Sequence, residues 1–71
     1  MKKLIQVKGM VCKHCVMHVT EALGEVPGVT DVVVSLEAGT ATVETNAPVT
    51  DEALAAAITD VGYTPGAVTD L

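Results

Sequence analysis

The chain has 71 residues, 49% of them hydrophobic and 18% charged, with a formal net charge of −5. That length makes one domain with a small core, and no apolar stretch reaches the roughly 18 residues of a membrane span. The acidic balance and a single aromatic residue, Tyr63, exclude the basic stripe of a general nucleic-acid binder and the stacking platform that holds single strands.

The first ten residues, MKKLIQVKGM, carry the lysines of an export signal, but Gln6, Lys8 and Gly9 interrupt the apolar stretch early. The expectation is a free-standing cytoplasmic protein, residues 1–71 as one domain, in a compartment that keeps thiols reduced. All four lysines (Lys2, Lys3, Lys8, Lys13) precede the first acidic residue, Glu21. The region around them is either ordinary solvated charge or a docking patch for an acidic partner.

Residues 3–9, KLIQVKG, alternate Ile5 and Val7 with Gln6 and Lys8, which predicts a strand with one buried face. From Lys13 to Val26 the period changes. Val16, Val19, Leu23 and Val26 recur at three and four, as on an amphipathic helix, and the Pro-Gly pair at 27–28 stops it. Residues 29–37 alternate again, with Val32, Val34 and Leu36 on one face. Gly39 serves a tight turn at 37–40, and residues 40–46 return as a strand with Ala41 and Val43 inward. A second helix is expected over 48–62, capped by Thr50, with Asp51 and Glu52 in its first turn, an apolar stripe of Leu54, Ile58 and Val61, and Gly62 just past its end. A short last strand fits around Ala67–Thr69, weakened by Pro65 and Gly66. The order βαββαβ predicts an α+β, ferredoxin-like sandwich: a four-stranded antiparallel sheet with both helices on one face.

Both cysteines, Cys12 and Cys15, fall in GMVCKHC at 9–15, between the first strand and the first helix. Cys12 is expected in the loop and Cys15 in the first helical turn, where backbone N–H groups and the helix dipole favour thiolate. Two soft thiolates suit Cu(I), and also Hg(II) or Cd(II), over hard cations. Zinc usually takes four ligands, and the other good donors are only His14 and His18. His18, one turn past Cys15, makes a Cys₂His arrangement conceivable, whereas a closed Cys₂His₂ site in this loop would be strained. A dithiol oxidoreductase is the competing reading, since a C-x-x-C between strand and helix is also how redox proteins present their thiols. Against it, no Trp precedes the motif and no Pro separates the cysteines.

G-M-x-C-x-x-C inside a βαββαβ chain of this length resembles the heavy-metal-associated domain family. VPGV at 26–29, the hairpin at 32–43 and VGY at 61–63 fall where that family places them, so the resemblance covers essentially the whole chain. The KHC at 13–15 and GY at 62–63 are most similar to the family's free-standing bacterial copper chaperones. The resemblance implies a carrier without enzymatic turnover, monomeric when empty. It implies Cu(I) held by Cys12 and Cys15 and passed to the cytoplasmic metal-binding domain of a copper-transporting P-type ATPase or to a copper-responsive repressor. It also implies that Met10 packs under the loop without binding metal and that Tyr63 lies beside the site. His14 is then an auxiliary ligand, a bridge in a metal-linked dimer, or a solvated loop residue. Regulatory domains of heavy-metal ATPases and mercury carriers share the two cysteines. Zinc-directed members tend to carry an acidic residue before the first cysteine, where this chain has Val11.

Overall fold

The computed structural model describes residues 1–11 and 13–71. Its elements run β1 (Lys2–Lys8), α1 (Lys13–Gly24), β2 (Val29–Ser35), β3 (Thr40–Thr45), α2 (Asp51–Asp60) and β4 (Thr64–Asp70). The strands form one sheet in the order β2-β3-β1-β4, and every neighbouring pair is antiparallel. Both helices cover one face of the sheet and pack on each other, so the βαββαβ, ferredoxin-like expectation holds.

The core follows from the two periodicities. Ile5 and Val7 of β1 and Ala41 and Val43 of β3 point to the helix side, where they meet Val19 and Leu23 of α1 and Leu54 and Ile58 of α2. All but Val7, at 4% exposure, are fully buried. Val33, on the opposite face of β2, is 62% exposed, as alternation along a strand with one covered face requires.

β1 lies one residue earlier than expected and β3 ends one residue sooner, and four further differences have local reasons. α1 ends at Gly24, two residues before Val26. Pro27 disfavours helical backbone at the residue before it, and Gly28 then turns the chain with φ of 95°. A β-carbon at Gly28 would stand 2.9 Å from Val49 Cγ2, so close approach and backbone both call for glycine. β2 stops at Ser35, which leaves Leu36 in the turn and 36% exposed rather than on the inward face. α2 ends at Asp60, so Val61 is its C-cap, 37% exposed, and does not extend the Leu54–Ile58 stripe. β4 is longer than expected and includes both Pro65 and Gly66. As an edge strand it tolerates a residue without an N–H. The register shifts opposite Gln6, where a β-carbon on Gly66 would meet Gln6 Cβ at 2.8 Å.

The N-cap at Thr50 forms as expected, its hydroxyl accepting from the Ala53 N–H at 3.1 Å. At the same end of the molecule Lys3 reaches Asp51 at 2.6 Å and Asp70 at 3.5 Å, joining β1 to α2 and β4. The Asp51 hydrogen bond raises the Lys3 ammonium above the ordinary lysine range, against a smaller opposing effect of desolvation. A raised folded-state value means that the contribution is fully present at neutral pH. It fades only as pH climbs through that value in the alkaline range.

Candidate metal centre

The candidate centre lies where β1 gives way to α1. β1 ends at Lys8, and the chain bends at Gly9 with φ of 100°, a conformation that side chains with a β-carbon resist. Met10 is half-buried and packs against the core. Val11 is 82% exposed. Cys12 lies outside the described residues. α1 begins at Lys13 and presents Cys15, half-buried, in its first turn. That turn contains no acidic residue. Cys15 therefore sits at the positive end of the helix dipole, with Lys13 in the same turn.

Tyr63 arrives from the other half of the molecule. α2 closes in a Schellman motif: Gly62, at φ of 92°, donates its N–H to the Thr59 carbonyl at 3.0 Å, and Tyr63 donates to the Ile58 carbonyl at 3.2 Å. This closure turns Tyr63 back onto the core, half-buried, with its ring carbon Cδ1 3.5 Å from where a β-carbon on Gly9 would stand. The ring thus flanks the first residue of the GMVCKHC loop. Gly62 is thus a positioning residue: its positive φ closes α2 and sets the path by which Tyr63 reaches the loop.

The two histidines fall on the outer surface. His14 and His18 are both exposed on α1, and His18 lines a groove between the helices with Glu21, Ala22, Ala57 and Val61. Among the described residues, no group of three or more His, Cys, Asp or Glu side chains could hold a metal ion. A closed site built from Cys15, His14 and His18 together is therefore not formed.

The four lysines separate into two pairs. Lys2 and Lys3 start β1, roughly 20 Å of strand away from Lys8, and Lys3 is committed to Asp51 and Asp70. Only Lys8 and Lys13 flank the loop. Beside them Val11 and Met17 are exposed, the latter at 57%, and Met17 lies one helical turn from Lys13. The loop end thus carries apolar contact area bordered by positive charge. The basic patch at the loop is therefore this pair and not all four lysines. No helix of the described chain is long and apolar enough to cross a membrane.

The heavy-metal-associated domain family model matches residues 4–64, and the chain belongs to that family. The COP-associated protein of Helicobacter felis is 44% identical over 66 residues, covering 93% of this chain and all of that protein. The copper chaperone CopZ of Bacillus subtilis is 46% identical over 63 residues, covering 87% of this chain and 91% of that one. Mercuric reductase of Shewanella putrefaciens is 43% identical over 60 residues, but these are only 11% of its length against 84% of this chain. Among solved structures, a CopZ metallochaperone superposes with a TM-score of 0.87 at 34% identity, covering 93% of this chain and 100% of the other. A copper binding domain from HMA7, a P-type ATPase, superposes with a TM-score of 0.85 at 32% identity, covering 93% and 92%.

Proposed function

We propose that this chain is a cytoplasmic Cu(I) chaperone that carries one ion between Cys12 and Cys15 and releases it by thiolate exchange, without catalytic turnover. The observation that carries the reading is Cys15 in the first turn of α1, at the end of GMVCKHC, with Tyr63 seated against Gly9 of the same loop. Cu(I) is satisfied by two soft ligands, whereas zinc usually asks for four. A two-coordinate ion leaves room for an incoming thiolate, and transfer then needs no free copper. Near-complete coverage of a relative named a copper chaperone, and likeness to a copper binding domain, support the cargo.

The acceptor we propose is the metal-binding domain of a copper-transporting P-type ATPase, a reading supported by likeness to such a domain. A copper-responsive repressor is the second acceptor class. Met10 supports the loop from below, and His14 is not required as a ligand. The chain is expected to be monomeric without metal.

The direct test is an anaerobic Cu(I) titration of the reduced protein against a chromogenic chelator, repeated with Zn(II). Tight capture of one Cu(I) with weak zinc binding is the expected result. Weak Cu(I) capture with tight zinc binding would overturn the cargo assignment, and catalytic reduction of insulin or glutathione disulfide would overturn the carrier assignment in favour of a dithiol oxidoreductase.

Docking through Lys8 and Lys13 has its own consequence. Exposed charges act mainly on encounter rate, and salt screens them over roughly 8 Å at physiological ionic strength. Lys13→Glu is expected to slow transfer to an acidic acceptor domain by about tenfold at low salt, with the difference shrinking as salt is added. Lys2→Glu, at the far end of β1, is expected to change little. Stopped-flow transfer rates across a salt series check this, and equal rates for the Lys13 variant and the wild type would remove the docking role.

A further inference from the structure

His14 and His18 are four residues apart on α1, and both imidazoles are exposed. On an α-helix that spacing stacks two side chains on one face, with Cβ atoms roughly 6 Å apart. Each ring can then offer one nitrogen to a shared ion. His18 lies beyond the C-x-x-C segment, so a pair that includes it is distinct from a two-thiolate site. It opens instead onto the groove between α1 and α2, which it lines together with Glu21 one turn further on.

We propose that His14 and His18 form a second metal site, a two-imidazole chelate for a borderline divalent ion, independent of the cysteine pair. Imidazole suits Cu(II), Ni(II) and Zn(II), and for a given nitrogen site Cu(II) binds most tightly of the three. Hard ions such as Ca(II) and Mg(II) prefer oxygen ligands and are excluded. No set of three or more protein donors forms among the described residues. Water therefore completes the coordination shell, and the ion exchanges readily. The positive end of the α1 dipole, next to His14, works against a cation there. Glu21 and the net charge of −5 work for it.

The test uses the full chain with Cys12→Ser and Cys15→Ser, so that no thiol binds or reduces the added metal, after circular dichroism has shown the fold. Cu(II) is titrated with electron paramagnetic resonance as the readout, and Zn(II) with the imidazole proton resonances. The expected result is one equivalent of Cu(II) with coupling to two nitrogens, and both imidazoles shifting together with Zn(II). His14→Asn or His18→Asn should each weaken binding by about tenfold or more, because each ring raises the effective concentration of the other. Binding that is unchanged in His18→Asn would assign the ion to the N-terminal amine or another donor and overturn the proposal. So would coupling to a single nitrogen. If the double serine variant does not fold, wild-type protein with both thiols alkylated by iodoacetamide replaces it, with the same readouts and outcomes. The result does not depend on Cu(I) binding by the cysteines, so either reading can fail alone.

Discussion

Replacing either cysteine by serine is expected to lower Cu(I) affinity by at least about a thousandfold while leaving the fold intact. Metal binding by protein thiolates is worth on the order of 10 kcal/mol, and a hydroxyl is a poor ligand for a soft ion. Losing one of two such ligands therefore removes several kcal/mol, and each 1.4 kcal/mol is about a factor of ten. The fold should not follow, because the core is built from Ile5, Val7, Val19, Leu23, Ala41, Val43, Val49, Leu54 and Ile58 and does not include Cys15. Chelator competition checks the affinity and thermal denaturation of the metal-free protein checks the fold. An apo melting temperature far below the wild type for Cys15→Ser would show that this thiol is part of the packing. Undiminished Cu(I) affinity would show that the ion sits elsewhere.

Leu54→Ala should have the largest effect on stability. Leu54 is fully buried on the sheet-facing side of α2, and truncating such a leucine costs about 2–5 kcal/mol through lost transfer energy and the cavity left behind. A chain of 71 residues has a total stability on the order of 4–10 kcal/mol. The loss is therefore a large share of the whole, and a 3 kcal/mol change lowers the melting temperature by roughly 12–24 °C in a domain of this size. Saturating Cu(I) should recover much of it: a ligand at a thousand times its dissociation constant adds about 4 kcal/mol if it binds only the folded state. Calorimetry with and without Cu(I) checks both halves. A melting temperature within a few degrees of wild type for the metal-free variant would contradict the packing described for Leu54. A metal-insensitive one would place the ion on a segment whose binding is not linked to folding.

The contrast between these substitutions reflects how the chain is organised. Stability comes from a few apolar side chains that two helices press onto β1 and β3. The candidate site occupies the turn at one end of that sandwich. Gly9 and Gly62, at positive φ, set the paths of the two segments that meet there. Changes to the core alter whether the loop exists, whereas changes to its thiols alter only what it binds.

Much of this was legible in the sequence, because local patterns carry it. Alternation at Ile5 and Val7, the three-and-four spacing of Val19 and Leu23, the Thr50 cap and the Gly39 turn are properties of neighbouring residues. They suffice to order six elements, and that order with short connections leaves few ways to build the sheet. The motif GMVCKHC likewise names its chemistry by residue type and spacing. Cys12, half of that chemistry, lies outside the described residues, so its role rests on the motif.

Tertiary structure decided what depends on residues far apart in the chain. Lys3 reads as one of four equivalent surface lysines until β1, α2 and β4 bring it to Asp51 and Asp70, which leaves Lys8 and Lys13 as the charged pair at the loop. Gly66 reads as a strand breaker until the edge position of β4 and the close approach of Gln6 make it necessary. Tyr63 stands more than fifty positions after Gly9, yet the Schellman closure of α2 sets its ring against that residue. The period of an apolar pattern is fixed by backbone geometry within a few residues. Which charge is neutralised, which glycine is obligatory and which ring covers the loop are set by packing between elements, and only the assembled sheet and helices supply that.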